Sequence, residues 1–244
     1  MIKLIRVETS SAIKDQNRVT RLLTGISITF ISAFAILIFI LHFLRPSLAP
    51  LHRPTSEYAV GQYGYLMSAA FICMSIATIT LIISFTRSVN RNARSTIGLV
   101  FLTIWSVAVL IAMLFPIDAE GAVATRAGRI HTTNGPIAFL SLTLGVLLVS
   151  LRFKRDEYLR DLYPTALVLA VMMILLFVSV AVSFNVGLGY EGLLQRLYLI
   201  IVVTWFILVL HRLYKKSTVW CRSLYSDKHP EFESQRKTWI PGQW

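Results

Sequence analysis

Residues 22–44, LLTGISITFISAFAILIFILHFL, run for 23 positions without an Asp, Glu, Lys or Arg. The hydrocarbon core of a bilayer is about 30 Å thick and needs about 20 mostly apolar helical residues, so this stretch predicts a membrane-spanning helix. It starts late and is longer than the apolar region of a cleaved signal peptide, about 7–15 residues. We therefore expect it to be retained as the first helix.

Five more runs of this kind follow, in a chain that is 55% hydrophobic and only 15% charged, with mean hydropathy +0.66. They are continuous and rich in Leu and Ile, unlike the alternating strands of a membrane barrel. The expected fold is all-α: a polytopic membrane bundle of residues 22–214, preceded by a segment 1–21 and followed by a tail 215–244. The six predicted spans are Leu22–Leu44, Tyr65–Thr86, Thr96–Phe115, Pro136–Leu151, Pro164–Phe184 and Leu193–His211.

The fourth span is the shortest, and its limits come from the residues at its ends. Asn134 is a plausible N-cap, and Pro136 suits the first turn of a helix. We therefore expect the fourth helix to begin next to Asn134.

The basic residues indicate how the chain crosses the membrane. With six spans, 19 of the 24 Lys and Arg fall at the two termini and in the second and fourth loops. Cytoplasmic loops carry such an excess, so both termini are expected in the cytoplasm and the protein in the cytoplasmic (inner) membrane. The net charge of +12 is then a topology signal with attraction to anionic lipids, and not a sign of nucleic-acid binding. The tail, with Trp220, Tyr225, Trp239 and Trp244, is expected at the membrane surface or docked on a cytoplasmic partner.

Polar side chains collect in the three loops on the opposite, outer side. They either form a lid of solvated loops with Arg–Asp pairs or converge on a pocket for the head of a ligand. In a pocket, the Arg side chains would hold an anionic head by charge-assisted hydrogen bonds, with Asp118 and His131 orienting them. The candidate ligand-binding residues are Tyr58, Asp118, Arg126, Arg129, His131, Glu191 and Arg196.

Other chemistries have weaker support. His52, His131 and Asp118 are zinc-compatible, but their spacing matches no compact metal motif, so neither a metal nor a cofactor is expected. Asp118 and His131, with Ser56 as nucleophile, could form the centre of a membrane-embedded hydrolase, although residue types alone form such sets by chance. The spans carry no charge well inside the bilayer, which disfavours a secondary transporter.

Four short motifs resemble a known family. They are SEYAVGQYGYLM before and into the second span, LFPID at the end of the third, GRIHTTNG before the fourth and GLLQR in the sixth. The chain resembles the six-helix prokaryotic membrane family called domain of unknown function 998, often compared with the Frag1/DRAM/Sfk1-like proteins. Tyr65 stands where the family pattern leads us to expect a Trp. The resemblance implies a helical bundle of unassigned activity, and it marks Ser56, Tyr58, Gly61, Gly64, Pro116, Asp118, His131, Gly192 and Arg196.

These observations favour a non-enzymatic membrane protein. We expect it to bind the head of a lipid or another amphiphile at the outer face, or to serve as an accessory subunit of a larger membrane complex. Its expected partners are membrane lipids and other membrane proteins. The alternatives are the hydrolase described above and a purely structural subunit.

Overall fold

The computed structural model describes the backbone of residues 2–226 and the side chains of residues 17–217. This part of the chain is helical, with no strand. Each of its six long helices contains a segment long and apolar enough to cross a membrane, which confirms the predicted all-α membrane bundle. The helices are α1 (Ile2–Leu44), α2 (Gly64–Ser88), α3 (Thr96–Leu114), α4 (Arg126–Ser150), α5 (Tyr163–Val186) and α6 (Glu191–Ser226).

The six helices form a closed ring in chain order. Each helix packs against its neighbours in sequence, α6 closes the ring on α1, and α2 also touches α6. Three loops lie at one end of the ring, L1 (45–63), L3 (115–125) and L5 (187–190), and L1 contacts both of the others. We call this end the predicted outer end, because its position relative to the membrane is predicted from the distribution of basic residues.

The fourth helix corrects the sequence prediction. It begins at Arg126, ten residues before Pro136, and its N-cap is Thr125, whose hydroxyl accepts a hydrogen bond from Gly128 N. Asn134 is not a cap: it lies inside the helix, buried, and its Nδ2 donates to the Ala108 carbonyl of α3 at 2.8 Å. Pro136 is inside the helix as well. The polarity of these turns predicts a loop. They are helical because their polar groups find partners within the bundle.

Both terminal helices continue beyond the predicted spans. The backbone of α1 starts at Ile2 and that of α6 ends at Ser226. The aromatic side chains expected at the membrane surface lie outside the described residues: they are those of Trp220, Tyr225, Trp239 and Trp244.

The end opposite the predicted outer end is closed by aromatic packing and a buried ion pair. Trp205 stacks on Phe153, with ring centroids 6.3 Å apart, and its indole nitrogen donates to Ser150 Oγ at 2.9 Å. Asp156, which is 2% exposed, accepts from Lys216 Nζ at 3.1 Å. These contacts fill the bundle at this end.

Close helix packing relies on small residues, as is usual in membranes. Ser27 Oγ donates to the Ala77 carbonyl at 2.7 Å, which joins α1 to α2. Ser75 and Ser106 share a hydrogen bond of 2.8 Å between α2 and α3. Gly145 of α4 lies against Leu102 of α3 so closely that a Cβ would be 2.8 Å from Leu102 Cδ2 and 3.1 Å from its backbone nitrogen.

Replacing Gly145 by Ala should therefore destabilise the protein. Overpacking costs about 1–3 kcal/mol, which exceeds the gain in helix propensity of roughly 1 kcal/mol at most sites. We expect a lower midpoint of thermal unfolding in detergent. The matched control is Gly25→Ala in α1, where a Cβ meets nothing within 4 Å and no proline follows, so stability should be unchanged or higher. Equal midpoints for the two variants would contradict the close contact between α3 and α4.

Candidate functional site

Arg196, in the second turn of α6, holds L1 through its guanidinium group. Its Nε donates to His42 Nε2 at 2.7 Å, and its Nη2 donates to the Tyr58 hydroxyl at 3.2 Å. Three backbone carbonyl oxygens lie 2.7–2.9 Å from Nη1: those of Pro50, Arg53 and Gly192. Every guanidinium nitrogen thus has an acceptor, and we call Arg196 with these partners the Arg196 clasp.

His42 takes part in the clasp in one defined tautomer. Its Nδ1 lies 2.6 Å from the Ile38 carbonyl oxygen, which can only accept, so Nδ1 carries the hydrogen and Nε2 is free to accept from Arg196. The Tyr58 side chain is fully buried, and its ring centroid lies 5.7 Å from the Arg196 guanidinium carbon. The clasp therefore joins α1, L1 and α6.

Gly192 allows L1 to lie directly on α6. A Cβ at this position would be 2.6 Å from the Arg53 carbonyl oxygen and 2.8 Å from the Arg53 nitrogen, distances that no real side chain tolerates. The next residue adds a backbone hydrogen bond, from Leu193 N to the Leu51 carbonyl at 3.0 Å. Glycine is thus required here by the approach of the two backbones.

Asp118 closes L3 onto the start of α4. Its carboxylate accepts hydrogen bonds from the backbone nitrogen of Thr125 at 2.9 Å and from its hydroxyl at 2.7 Å. These bonds hold the pKa of the Asp118 carboxyl below its usual value, and the positive charge of Arg129 lowers this pKa further. Gly128 packs against the carboxylate, where a Cβ would overlap its oxygens. Asp118 therefore orders the loop.

Charged side chains also connect the loops. Arg53 in L1 forms ion pairs with Glu57, at 2.5 Å, and with Glu120 of L3. Burial raises the pKa of the Glu57 carboxyl even though Arg53 opposes the shift. Glu120 is well exposed, so its pair with Arg53 contributes little to stability.

L5 is held from both sides. Glu191 Oε1 accepts hydrogen bonds from Ser183 Oγ at 3.0 Å and from the Gly189 nitrogen at 3.2 Å. The Gly189 carbonyl accepts from His52 Nδ1 of L1 at 2.5 Å. Glu191 and His52 thus have structural partners, and the three loops form one connected layer over the bundle.

A cavity of about 360 Å³ lies under this layer, inside the ring of helices. All six helices contribute to its wall, which is mostly apolar and includes Phe34, Met74, Trp105, Phe139 and Phe177. Polar side chains from L1, α4, α5 and α6 also line it: Thr55, Ser56, His131, Thr132, Asn134, Asn185 and Gln195. This is the shape of an ordinary ligand site, apolar with a few polar groups.

Over residues 28–212 the chain matches the family described as "Protein of unknown function (DUF998)". The chain belongs to the DUF998 family. The match runs from within α1 to within α6 and includes L1, L3 and L5, so the predicted resemblance to the DUF998 family is confirmed. No curated protein and no solved structure matches the chain.

In this DUF998 protein the predicted site residues separate into two groups. His131 and Ser56 line the cavity. Among the side chains of residues 17–217, the other ligand-binding candidates do not line it: Tyr58, Asp118, Arg126, Arg129, Glu191 and Arg196. Tyr58 and Arg196 belong to the clasp, Asp118 and Glu191 order loops, and Arg126 and Arg129 are exposed at the start of α4.

The residues suggested for hydrolysis or metal binding do not form a triad or a metal-ligand group. His131 Nδ1 bonds to the Phe115 carbonyl oxygen at 2.9 Å, where a hydrolase triad would place Asp118. His52, His131 and Asp118 do not form a group, and within the part of the chain whose side chains are described no three His, Cys, Asp or Glu come close enough to share a metal ion.

Five polar residues of the cavity wall are not among the predicted site residues: Thr55, Thr132, Asn134, Asn185 and Gln195. Asn134 follows His131 by three positions, which places both on one face of a helix. The sequence prediction instead places His131 in a loop and Asn134 at the helix cap. Gln195 is in the GLLQR motif beside Arg196, and the charge of Arg196 favours the Arg as the ligand-binding residue of this motif. Uncharged polar residues within a span were the available signal for both.

Replacing Arg196 by Met should destabilise the predicted outer end. The change removes a guanidinium that satisfies three carbonyl groups, His42 and Tyr58, so we expect a loss of about 2–4 kcal/mol in the free energy of unfolding in mixed micelles. Arg196→Lys should lose part of this, because an ammonium group cannot reproduce the planar fork. The matched control is Arg126→Met, an exposed Arg at the same end. If both Met variants were equally stable, the clasp would not hold L1.

Proposed function

We propose that this DUF998 membrane protein binds one membrane amphiphile, with its apolar chain in the cavity between the six helices. The observation that supports this proposal is the cavity itself: about 360 Å³, largely apolar and lined by membrane-spanning helices, with polar side chains in its wall. This volume is within the range of about 300–1,000 Å³ that ligand sites occupy.

The position of the lining residues supports entry from the bilayer. Thr132 and Pro136 of α4 and Ala181 and Phe184 of α5 line the cavity and are also exposed on the surface of the bundle. We therefore place the opening of the cavity at the surface between α4 and α5. In a membrane this surface faces lipid, so an apolar chain can enter without crossing water.

Selectivity for the ligand would reside in the polar part of the wall. Lipid tails are as apolar as the side chains of the cavity, so moving a chain from the bilayer into the protein gains little hydrophobic free energy. Shape and hydrogen bonds to the head must then distinguish one amphiphile from another. Arg196 would act indirectly in this proposal, by keeping L1 in place.

The hydrolase alternative is favoured by a single observation: Ser56 and His131 line the same cavity. The two side chains share no hydrogen bond, and His131 is oriented by the Phe115 carbonyl and not by a carboxylate. A nucleophile normally contacts its base, and the base contacts an acidic or polar orienting group. Binding without chemistry is therefore the better-supported proposal.

A side chain placed in the cavity should prevent binding. Gly135 lines the cavity, and a Cβ at this position meets nothing within 4 Å outside its chain neighbours, so Gly135→Leu should fill part of the site. The protein in nanodiscs would be photolabelled with a long-chain alcohol that carries a diazirine in its chain. We expect labelled peptides from the lining residues of α4 and α5, and labelling at least about fivefold weaker in the variant.

Gly25→Leu is the matched control. Gly25 also lies in a membrane-spanning helix, with nothing within 4 Å of a Cβ, but it does not line the cavity. Its variant should be labelled at the cavity as strongly as the unmodified protein. Equal labelling of the Gly135→Leu variant, or labels spread evenly over the outer surfaces of all helices, would contradict the proposed function.

A further inference from the structure

The polar part of the cavity wall contains no permanently charged side chain. None of the lining side chains, all within residues 17–217, is an Asp, Glu, Lys or Arg. Four of the polar ones are at least nine-tenths buried. One is Thr55, whose hydroxyl already donates to Gln195; the other three are His131, 8% exposed, Asn134, 9%, and Gln195, 7%. The hydrogen bonds of each of these three side chains determine what its remaining atom can offer to a ligand.

His131 offers an acceptor. Its Nδ1 lies 2.9 Å from the Phe115 carbonyl oxygen, and a carbonyl can only accept, so Nδ1 carries the hydrogen whenever the imidazole is neutral. Nε2 then carries a lone pair, and it has no hydrogen-bond partner among the described residues. A ligand group beside Nε2 must donate.

Asn134 and Gln195 are fixed in the same way. The Asn134 amide nitrogen donates to the Ala108 carbonyl at 2.8 Å, which leaves Oδ1 as an acceptor. The Gln195 oxygen accepts from the Thr55 nitrogen at 2.6 Å and from its hydroxyl at 2.9 Å, which leaves the Gln195 amide nitrogen as a donor. These three side chains therefore present two acceptors and one donor in known orientations.

These three free atoms are accessible. Among the side chains of residues 17–217, the fully enclosed polar atoms without a hydrogen-bond partner are Asn17 Nδ2 and Trp105 Nε1. The free atoms of His131, Asn134 and Gln195 are not enclosed in this way, so they face open space. The residues line the cavity, which makes it the place where a ligand reaches them.

From this pattern we infer that the ligand is an uncharged amphiphile whose head carries a hydroxyl group and a carbonyl or ester oxygen. The hydroxyl donates to His131 Nε2, and the carbonyl accepts from Gln195 Nε2. A phosphate or carboxylate in the same place would face two lone pairs without a cation, and it would lose its hydration. The inference rests on the proposed function and names the chemical class of its ligand.

The test compares three molecules that share one oleoyl chain. Monooleoylglycerol has hydroxyl groups and an ester, oleoyl lysophosphatidic acid adds a phosphate, and methyl oleate has the ester alone. Each would compete with the diazirine-bearing alcohol for labelling of the cavity in nanodiscs. We expect monooleoylglycerol to compete at about tenfold lower concentration than either of the others, since each lost hydrogen bond or buried charge weakens binding by about this factor.

His131→Phe examines the assigned acceptor. The variant keeps a ring but loses Nε2, so the advantage of monooleoylglycerol over methyl oleate should fall by about fivefold. His52→Phe is the matched control, because His52 also bonds to a carbonyl through Nδ1 but does not line the cavity. It should keep the full advantage. Thermal unfolding of both variants would show whether they fold, and Asn134→Asp gives a second variant with a charge in place of the amide.

The outcomes separate the two proposals. If none of the three molecules reduces labelling, the proposed function fails. If lysophosphatidic acid competes as well as or better than monooleoylglycerol, the site accepts an anion and the inference of an uncharged head is wrong, while binding stands. If all three molecules compete less well for the folded His131→Phe variant, and by the same factor, His131 does not accept a hydrogen bond from the hydroxyl. The inference is then again wrong.

Discussion

A guanidinium group at the end of a membrane helix has to find acceptors for its five N–H donors, and this constraint on Arg196 shapes the predicted outer end. The acceptors come from three parts of the chain: His42 on α1, the L1 residues Pro50, Arg53 and Tyr58, and the backbone of α6 itself. Because a planar fork fixes direction as well as distance, L1 has little freedom to move relative to α6. Gly192 permits the contact by leaving room for the L1 backbone.

The cavity depends on this arrangement. L1 contributes Pro54, Thr55 and Ser56 to the cavity wall, and Thr55 holds the Gln195 oxygen. If L1 left α6, the Gln195 amide would lose its orientation and the cavity would lose its cover. Below L1, a ring of six helices with small residues such as Ala108 and Gly135 on its inner side encloses space that larger side chains would fill. The protein thus combines a rigid polar layer with an apolar interior that is not completely packed.

Hydropathy predicted the six helices because the cost of placing a residue in a bilayer is nearly a sum over residues. The same sum fails at the start of α4, because the summed hydropathy of Arg126 to Asn134 is polar. Specific partners such as the Ala108 carbonyl stabilise this part of the helix. The site required pairings that composition does not contain. Arg196 and His42 are 154 positions apart, and nothing local to Arg196 distinguishes a loop-holding guanidinium from one that binds a ligand. Likewise, Asp118 and His131 belong to the same short polar stretch of the chain but have different partners, Thr125 and the Phe115 carbonyl.

The central claim is that the space between the helices is a binding site for an amphiphile. An experimental structure of the full chain, extracted directly from its membrane into nanodiscs without detergent exchange, tests it most directly. The account predicts elongated density in the cavity, with its wider end within hydrogen-bonding distance of His131 Nε2 and Gln195 Nε2. A cavity that is filled with water, or that closes as the α4 and α5 side chains move into it, would contradict the account.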